Sequence, residues 1–229
     1  KEGDRVIINP LARCGHCDLC LSGNYILCPD KPEFYTHFAQ YVLVQDFVLT
    51  PLPDDISYDI GSMACCALGP AFRSIKRMNV KAFDTLLITG LGPVGMGATV
   101  IAKFLGARVI ALESVPFRQK MAKEIGADYV LNPMECNVEE EIRKRTGGYG
   151  CDVYIEASGS PRSVTQGLQS LKNHGRYVQM GVFAEEVKAD WNIIGDGKEL
   201  SIRGSHLSAL TFCSVIKGIE SGLIKTEGL

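Results

Sequence analysis

The sequence predicts an α/β fold built on a doubly wound parallel sheet, and three observations support this. Apolar strands and helical segments alternate from Thr85 onward. The runs at 86–88 and 109–112 are continuously apolar, as expected for strands covered on both faces. A glycine-rich turn follows the first run and opens a helix. Such alternation requires right-handed crossovers, and therefore a parallel sheet flanked by helices.

The composition is that of an ordinary globular protein. The chain has 229 residues, of which 46% are hydrophobic and 22% are charged, and its net charge is -2. This near-neutral charge gives no reason to expect a nucleic acid or a membrane surface as partner. No apolar run reaches the roughly 18 residues of a membrane-spanning helix, and no secretory signal pattern opens the chain.

Residues 1–60 lack helical periodicity and predict part of a β-rich domain. We expect strands at 5–8 and 38–44, separated by a cysteine-rich loop, and a turn-rich exit at 50–55. The segment 59–78 is expected to be helical, with a break or bend at Pro70 because proline disrupts a helix interior.

The alternating part predicts the six strands of a complete Rossmann sheet. The predicted strands are 85–89, 108–112, 128–131, 152–156, 176–180 and 199–204. The predicted helices are 94–105, 116–125, 137–146, 161–172 and 209–221. The expected domain boundaries are 1–60 for the β-rich part, with a zinc lobe at 14–28, 61–208 for the Rossmann domain, and 209–229 for a helix returning to the first domain.

The motif Gly90-Leu-Gly92-Pro93-Val94-Gly95 has the G-x-G-x-x-G spacing of a dinucleotide-binding turn. Gly90 is expected to form the tight turn, Gly92 to admit the pyrophosphate, and Gly95 to let the helix pack against the strand. Pro93 suits the first helical turn. The helix N-terminus would face the phosphates. The alternative is a glycine turn used only for packing.

Glu113 ends the second strand about 20 residues after the glycines, where an acid accepts hydrogen bonds from the adenosine ribose. The alternative is a solvated surface acid. Together, the turn and this acid predict a dinucleotide site.

The pattern C-x2-C-x2-C-x7-C predicts a structural zinc site. Four thiolates in a short loop complete a tetrahedral shell with no open position. A disulfide cluster would require an oxidising compartment, and iron–sulfur sites space their cysteines differently. We expect the cysteines to be reduced and His16 to be a spacer that faces solvent. The four predicted ligands are Cys14, Cys17, Cys20 and Cys28.

These motifs resemble, in order and spacing, the zinc-containing medium-chain alcohol and polyol dehydrogenases. The resemblance rests on Gly3-Asp-Arg-Val, the four-cysteine lobe, Cys65-Cys66 and the glycine motif, and it covers nearly the whole chain. It implies a GroES-like catalytic domain beside the Rossmann domain. It also implies a zinc-assisted hydride transfer between NAD and a secondary alcohol or polyol.

The resemblance implies roles for further residues. Cys66 matches the third ligand of the catalytic zinc, although a shift to Cys65 stays open, and a buried apolar cysteine is the alternative. Glu113 favours NAD over NADP, since a 2′-phosphate would meet a carboxylate. The remaining expected cofactor contacts, for which ordinary loop or surface residues are the alternative, are Arg118, Ser158, Val182, Ser205 and Leu207.

The chain also departs from the family pattern. The family's first two catalytic ligands lie upstream of the Gly3-Asp-Arg-Val strand, and its last strand and helix, which rejoin the catalytic domain, lie beyond Leu229. We therefore expect both ends of the chain to be cut. His37, His174 and His206 match no ligand position and are expected to be surface or core-edge histidines. We therefore expect these residues alone to be inactive, although the parent would be a cytoplasmic dehydrogenase that forms a dimer or tetramer.

Two other functions stay open. One is a zinc-free enone or quinone reductase on the same fold, against which the four-cysteine lobe argues. The other is a non-catalytic relative that binds NAD and structural zinc.

Overall fold

The computed structural model describes residues 1–32 and 38–229. The strands are β1 Val6–Ile8, β2 Leu49–Pro51, β3 Thr85–Thr89, β4 Arg108–Leu112, β5 Tyr129–Leu131, β6 Cys151–Glu156, β7 Leu171–Gln179 and β8 Ser201–Gly204. The helices are α1 Asp18–Leu21, α2 Tyr58–Cys66, α3 Leu68–Arg77, α4 Pro93–Phe104, α5 Pro116–Glu124, α6 Val138–Arg145, α7 Pro161–Ser170 and α8 Phe212–Glu220.

Six strands form a parallel sheet in the order β5-β4-β3-β6-β7-β8. Each neighbouring pair is parallel, and the strand order reverses between β3 and β6. All five residues of β3 are buried, which agrees with its apolar sequence. The predicted doubly wound Rossmann sheet is thus confirmed. Ligands of such sheets bind beyond the carboxyl ends of the strands at the reversal point, between β3 and β6.

The sheet is covered by apolar residues on both faces. One face packs with α3, α4 and α8 around residues such as Ile88, Ile101 and Val215. The other face packs with α6 and α7 around Leu87, Ile142 and Leu168. Because Leu87 and Ile88 are adjacent on one strand, their side chains point to opposite faces. Burial on both faces explains why the strands read as apolar runs rather than alternating patterns.

The α7–β7 connection differs from the prediction, because α7 ends at Ser170 and β7 begins at Leu171. The Lys198 ammonium donates hydrogen bonds to the backbone oxygens of Leu168, Gln169 and Leu171 at 2.6–3.0 Å. A cation at a helix C-terminus satisfies carbonyl groups that the helix leaves free. This long-range contact ends the helix earlier than periodicity suggests.

The predicted helix at 59–78 is divided, but not at Pro70. The break lies at Ala67, between α2 and α3. Pro70 is the third residue of α3, where its missing N–H removes no intrahelical hydrogen bond. Proline therefore lies at the start of the second helix rather than interrupting a single one.

The predicted strand at 38–44 is wrong. These residues form no strand, and Leu43 is 95% exposed. In the described part of the N-terminal region, the only sheet pairs β1 antiparallel to β2. An apolar sequence becomes a strand only when a partner edge accepts its hydrogen bonds. No strand of the described chain pairs with this segment.

Candidate functional site

The glycine turn at residues 90–95 connects β3 to α4. Gly90 has φ +86°, and an added Cβ would lie 2.6 Å from the Ser158 Cα. At Gly95 an added Cβ would lie 1.9 Å from the Gly90 oxygen, so only glycine permits this close packing. At Gly92 a Cβ would meet nothing within 4 Å. The space above Gly92 therefore lies open for a ligand.

The helix α4 begins immediately after this open position. Gly92 is its N-cap and Pro93 its first residue, followed by the half-buried Val94. The first N–H groups of a helix have no intrahelical acceptor, and the helix dipole is positive there. The arrangement suits the binding of an anionic group such as a pyrophosphate.

Glu113 lies at the end of β4 and is only 7% exposed. Its carboxylate accepts hydrogen bonds from the backbone N–H groups of Leu91 at 2.9 Å, Ser114 at 2.8 Å and Val115 at 2.9 Å. The Arg118 Nη1 lies 3.8 Å from the Glu113 Oε2. The acid is therefore fixed beside the glycine turn. It is not a solvated surface residue.

A cavity of about 210 Å³ opens between the carboxyl ends of β3, β4 and β6. Glu113 and Gly90 lie on its wall, as does Ser158. The cavity extends from the glycine turn to Glu113, at the point where the strand order reverses. Its lining residues are Thr89, Gly90, Leu112, Glu113, Ser114, Pro133, Met134, Ser158, Ser160, Arg162, Ser163 and Gln166.

Ser158 lies in the turn that follows β6 and is held by Glu156. The Glu156 Oε1 accepts a hydrogen bond from the Ser158 N–H at 2.8 Å and a further one from its hydroxyl. The sequence interpretation overlooked Glu156, which is 0% exposed. The sequence feature that could have identified Glu156 is an acid at the end of an apolar strand, the same feature that identified Glu113.

The other predicted cofactor contacts occupy different surroundings. Val182 is 91% exposed after β7. The Ser205 N–H donates to the Gln179 oxygen at 3.0 Å, and its buried hydroxyl has no partner among the described residues. Leu207 packs instead against the cluster of Leu11, Tyr25, Ile26 and Ala209. Ser205 thus offers an unused polar group, whereas Leu207 joins the lobe region to the sheet domain.

The four lobe cysteines come together. Their sulfur atoms all lie within 4.8 Å of one another. The Cys14 and Cys20 sulfurs are 3.8 Å apart, and those of Cys17 and Cys28 are 3.9 Å apart. A tetrahedral site with Zn–S bonds of about 2.3 Å requires sulfur–sulfur separations of about 3.8 Å. The cluster therefore has the dimensions of a four-thiolate zinc site.

Backbone N–H groups donate to two sulfurs of this cluster and support the thiolate form of Cys14, whereas burial and neighbouring sulfurs raise the pKa of Cys17. The Cys14 N–H points to the Cys28 sulfur, and the Cys17 N–H to the Cys14 sulfur, each at 3.4 Å. Backbone hydrogen bonds from His16 and Cys17 lower the pKa of the Cys14 thiol to about 6. The exposed His16 ring lies 3.1 Å from the Cys14 oxygen and contributes no fifth ligand.

Cys66 ends α2 and is exposed, whereas Cys65 packs against the main core. Burial raises the pKa of the Cys65 thiol to about 11, which disfavours the thiolate that metal binding needs. Cys66 is thus the more available of the two. Within the described residues, the lobe cysteines are the only group of three or more potential ligands, so Cys66 belongs to no such group.

The remaining histidines do not form a second ligand set in the described chain. His174 is exposed with φ +58°, and its ring lies 3.2 Å from the Glu199 carboxylate. His206 is also exposed, and its backbone oxygen accepts from Arg73. His37 lies outside the described residues.

Among residues 1–32 and 38–229, no helix combines the length and the apolar character needed to cross a bilayer.

Two family models match the chain. The zinc-binding dehydrogenase family matches residues 93–220, and the alcohol dehydrogenase GroES-like domain matches residues 1–54. The first match covers the glycine-turn helix and most of the sheet; the second covers the cysteine lobe. Both agree with the resemblance found in the motifs.

Individual proteins are similar over nearly the whole chain. The erythritol/L-threitol dehydrogenase of Mycolicibacterium smegmatis is 36% identical over 98% of the chain and 64% of its own length. The sorbitol dehydrogenase of Bacillus subtilis is 32% identical over 100% of the chain and 66% of its own length. The chain thus spans about two thirds of these relatives.

A solved structure agrees with the fold. An Escherichia coli CFT073 protein, described as a short chain alcohol dehydrogenase complexed with NADH, superposes with a TM-score of 0.89 and 27% identity. The match covers 99% of the present chain and 68% of that protein.

Proposed function

Because the chain belongs to the zinc-binding dehydrogenase family, we propose that it forms part of an NAD-dependent and zinc-dependent oxidoreductase acting on a secondary alcohol or polyol. The observation that carries this proposal is the open space above Gly92 at the N-terminus of α4, next to a cavity lined by Gly90 and Glu113. Erythritol, threitol and sorbitol are the substrates named for the similar dehydrogenases.

The proposed cofactor site divides NAD among several chain segments. The free N–H groups after Gly92 and Pro93 would bind the pyrophosphate, and the Glu113 carboxylate would face the adenosine ribose. Ser158 would line the adenine side of the nucleotide, beside Glu113. Val182 and Ser205 would line the nicotinamide side. Bound NAD supplies the acceptor for the hydride that leaves the alcohol carbon. The chain's own groups bind and orient it.

Glu113 supports a preference for NAD over NADP. The carboxylate is held in place by three backbone N–H groups, so it cannot turn away from a 2′-phosphate without losing them. Two negative charges at this position would repel each other. Arg118 lies 3.8 Å from the acid, and we propose that it contacts the ribose or a phosphate at the rim.

We propose one structural zinc in the lobe and a catalytic zinc in the complete enzyme. The four lobe cysteines have the donor type and the separations that structural zinc requires. Cys66 alone does not fit a catalytic zinc, because such a site needs three protein ligands. The further ligands would belong to segments that the longer relatives have and the described residues lack.

Residues 1–60 would then belong to the catalytic domain, 61–208 to the nucleotide-binding domain, and 209–229 to the return toward the first. The thiolate cluster favours the cytoplasm, where cysteines stay reduced. The four residues of β8 are all exposed at the edge of the sheet. Pairing of this edge with a second copy would protect it, which supports a dimer or tetramer.

A non-catalytic, NAD-binding relative is the second candidate, favoured by the isolation of Cys66 in the described residues. The coding sequence spanning a relative's full length separates the two. We expect the longer protein to hold about two zinc atoms per chain and to reduce NAD with a polyol such as threitol or sorbitol. A protein that binds NADH with about one zinc atom and oxidises no alcohol would support the non-catalytic relative.

A further inference from the structure

Glu156 is a fully buried acid at the carboxyl end of β6. Its carboxylate accepts hydrogen bonds from the Ser163 hydroxyl at 2.8 Å and the Gln179 side-chain amide at 2.9 Å. It also accepts from the N–H groups of Ser158 at 2.8 Å and Gly159 at 3.1 Å. The Ser158 hydroxyl is a fifth donor, and all five are uncharged. Burying a charge in this way requires that nearly all its lone pairs be used.

Two turns meet at this carboxylate. The first, residues 158–159, follows β6 and lies against Gly90. The second, residues 181–182, follows β7, and an added Cβ at Gly181 would lie 2.2 Å from the Glu156 Oε2. The turns also touch each other, because an added Cβ at Gly159 would lie 2.5 Å from the Val182 oxygen. No side chain separates the turns from the acid.

The two oxygens of Glu156 face the two turns, and the Gly159 N–H lies between them, 3.3 Å from Oε2. Oε1 accepts from the Ser158 and Gly159 N–H groups and from Ser163 in the first turn of α7. Oε2 accepts from the Gln179 amide, which in turn donates to the Gly181 oxygen at 2.7 Å. The N-terminus of α7 lies on the Oε1 side, through Ser163. One carboxylate therefore sets the separation between the turns.

We propose that Glu156 is a positioning residue that holds the turn at 181–182 against the turn at 158–159, in the arrangement that the turn at 181–182 needs to bind the nicotinamide half of the cofactor. This inference rests on the proposed function, in which Val182 is a contact on the nicotinamide side of the cofactor. Glu156 itself is buried and does not touch the nucleotide. It acts through the backbone of the turns, whereas Glu113 and the α4 N-terminus hold the adenosine and phosphate half.

A glutamine at this position would have the same shape but the wrong hydrogen-bonding groups. One of its terminal atoms would be an NH2 facing either the backbone N–H groups of the first turn or the Gln179 amide. Donors facing donors repel, and the buried groups lose their acceptor. Turning the Gln179 amide over would sacrifice its bond to the Gly181 oxygen. Glu156→Gln thus changes the spacing of the turns with little change in volume.

The test compares NADH with ADP, which has the adenosine and phosphate half but no nicotinamide. We expect Glu156→Gln to raise the NADH dissociation constant about tenfold or more, and that of ADP less than about threefold. NADH is followed by fluorescence titration and ADP by competition, well below the unfolding temperature. A merely structural role would move both constants together or neither.

Asp152→Asn is the matched control, because Asp152 is a half-buried acid at the opposite end of the same strand. It accepts from the Thr85 N–H at 2.8 Å and pairs with Lys172, far from the turns. We expect it to lower thermal stability while leaving the NADH constant within about twofold. Equal weakening of NADH by both variants would overturn the positioning role.

Gln179→Ala tests the same positioning role if Glu156→Gln fails to fold. It removes the link to the Gly181 oxygen and leaves the first turn intact, so NADH binding should weaken about threefold or more with ADP unchanged. Unaltered NADH binding in Gln179→Ala would overturn the proposal.

Failure of the wild-type chain to bind NADH would instead reject the proposed function. Normal wild-type binding with an unaffected Glu156→Gln variant would reject this inference alone.

Discussion

The Glu113 carboxylate accepts a hydrogen bond from the backbone N–H of Leu91 at 2.9 Å, so the end of β4 is joined directly to the glycine turn. The same carboxylate accepts from the N–H groups of Ser114 and Val115. The acid therefore has two functions in the proposed site. It supplies negative charge at the ribose position, and it fixes the backbone of the turn.

Glu113→Gln should weaken NADH binding about tenfold, because an amide cannot accept all the hydrogen bonds that the carboxylate accepts. The NADPH affinity should fall less, since the repulsion of the 2′-phosphate disappears with the charge. Titration of both nucleotides measures the ratio. Glu124→Gln, at an exposed acid on the next helix, is the control. Unchanged binding of both nucleotides would contradict the role of Glu113.

Gly92→Val should preserve folding and abolish tight nucleotide binding. An added Cβ at Gly92 meets nothing within 4 Å of protein, and its φ of -71° suits any residue. The new methyl groups would instead occupy the space proposed for the pyrophosphate. Circular dichroism melting should give nearly the wild-type midpoint, whereas the NADH dissociation constant should rise at least about tenfold.

Gly95→Ala, at the same turn, should instead destabilise the fold. Its Cβ would lie 1.9 Å from the Gly90 oxygen, so α4 must move away from β3. We expect a loss of about 3 kcal/mol or more in the free energy of unfolding, at the upper end for overpacked positions. Denaturant titration measures it. If Gly92→Val destabilised the chain as much as Gly95→Ala, the open space above Gly92 would be disproved.

The lobe should hold about one zinc atom per chain after thorough desalting. Chelation should lower the melting temperature, because folding of the lobe is coupled to metal binding. Cys28→Ser should reduce the zinc content to near zero, and Cys213→Ser, at an exposed cysteine outside the cluster, should leave it unchanged. Iron in place of zinc, or no metal, would contradict the assignment.

The stability conferred by Asp128 should depend on pH. Burial alone would raise the pKa of this carboxyl, but hydrogen bonds from Lys103 and the Val109 N–H outweigh it and lower the pKa. A carboxyl with a lowered folded-state pKa contributes stability above its unfolded pKa, and loses that contribution as the pH falls through the folded value. The contribution should thus be full above about pH 5 and decline below about pH 4.

Thermal melting of wild type and Asp128→Asn across about pH 3–7 checks this expectation. The difference between their midpoints should be constant near neutrality and shrink in acid. Asp55→Asn, at an exposed acid, should give no such difference. A difference that grows as the pH falls would have the wrong sign and would contradict the lowered pKa.

The sheet domain was predictable because its strands are apolar in sequence and are also buried on both faces in the fold. Strands β3 and β4 have the predicted bounds, since runs such as 86–88 are buried on both faces and no other element suits them. Gly90 and Gly95 follow from backbone geometry that only glycine permits. The α7 boundary was less predictable, because the Lys198 contact that ends the helix comes from distant sequence.

The N-terminal part was less predictable, because a segment there becomes a strand only if a neighbouring strand pairs with it. The segment 38–44 has strand-like composition, yet no strand of the described chain pairs with it. Pro70 was expected to divide a helix but lies in the first turn of a second one, whose start depends on the backbone at Ala67. The convergence of the lobe cysteines was predictable, because their spacing alone limits how far apart they can lie.

At the candidate site, the residues of the glycine motif could be identified from sequence, whereas a residue that only holds other site residues in place could not. Glu156 has no local motif, and only the folded chain brings Ser158 and Gln179 to its two oxygens. Leu207 was expected at the cofactor wall, but it packs toward the lobe. Its role at the cofactor stays a prediction, as do those of Val182 and Ser205.

The most direct measurement is a calorimetric titration of this zinc-loaded chain with NADH. We predict saturable binding of about one NADH per chain, lost in Gly92→Val although that variant still folds. Binding that is absent in the wild-type chain, or unaffected by Gly92→Val, would contradict the proposed cofactor site and with it the proposed dehydrogenase function.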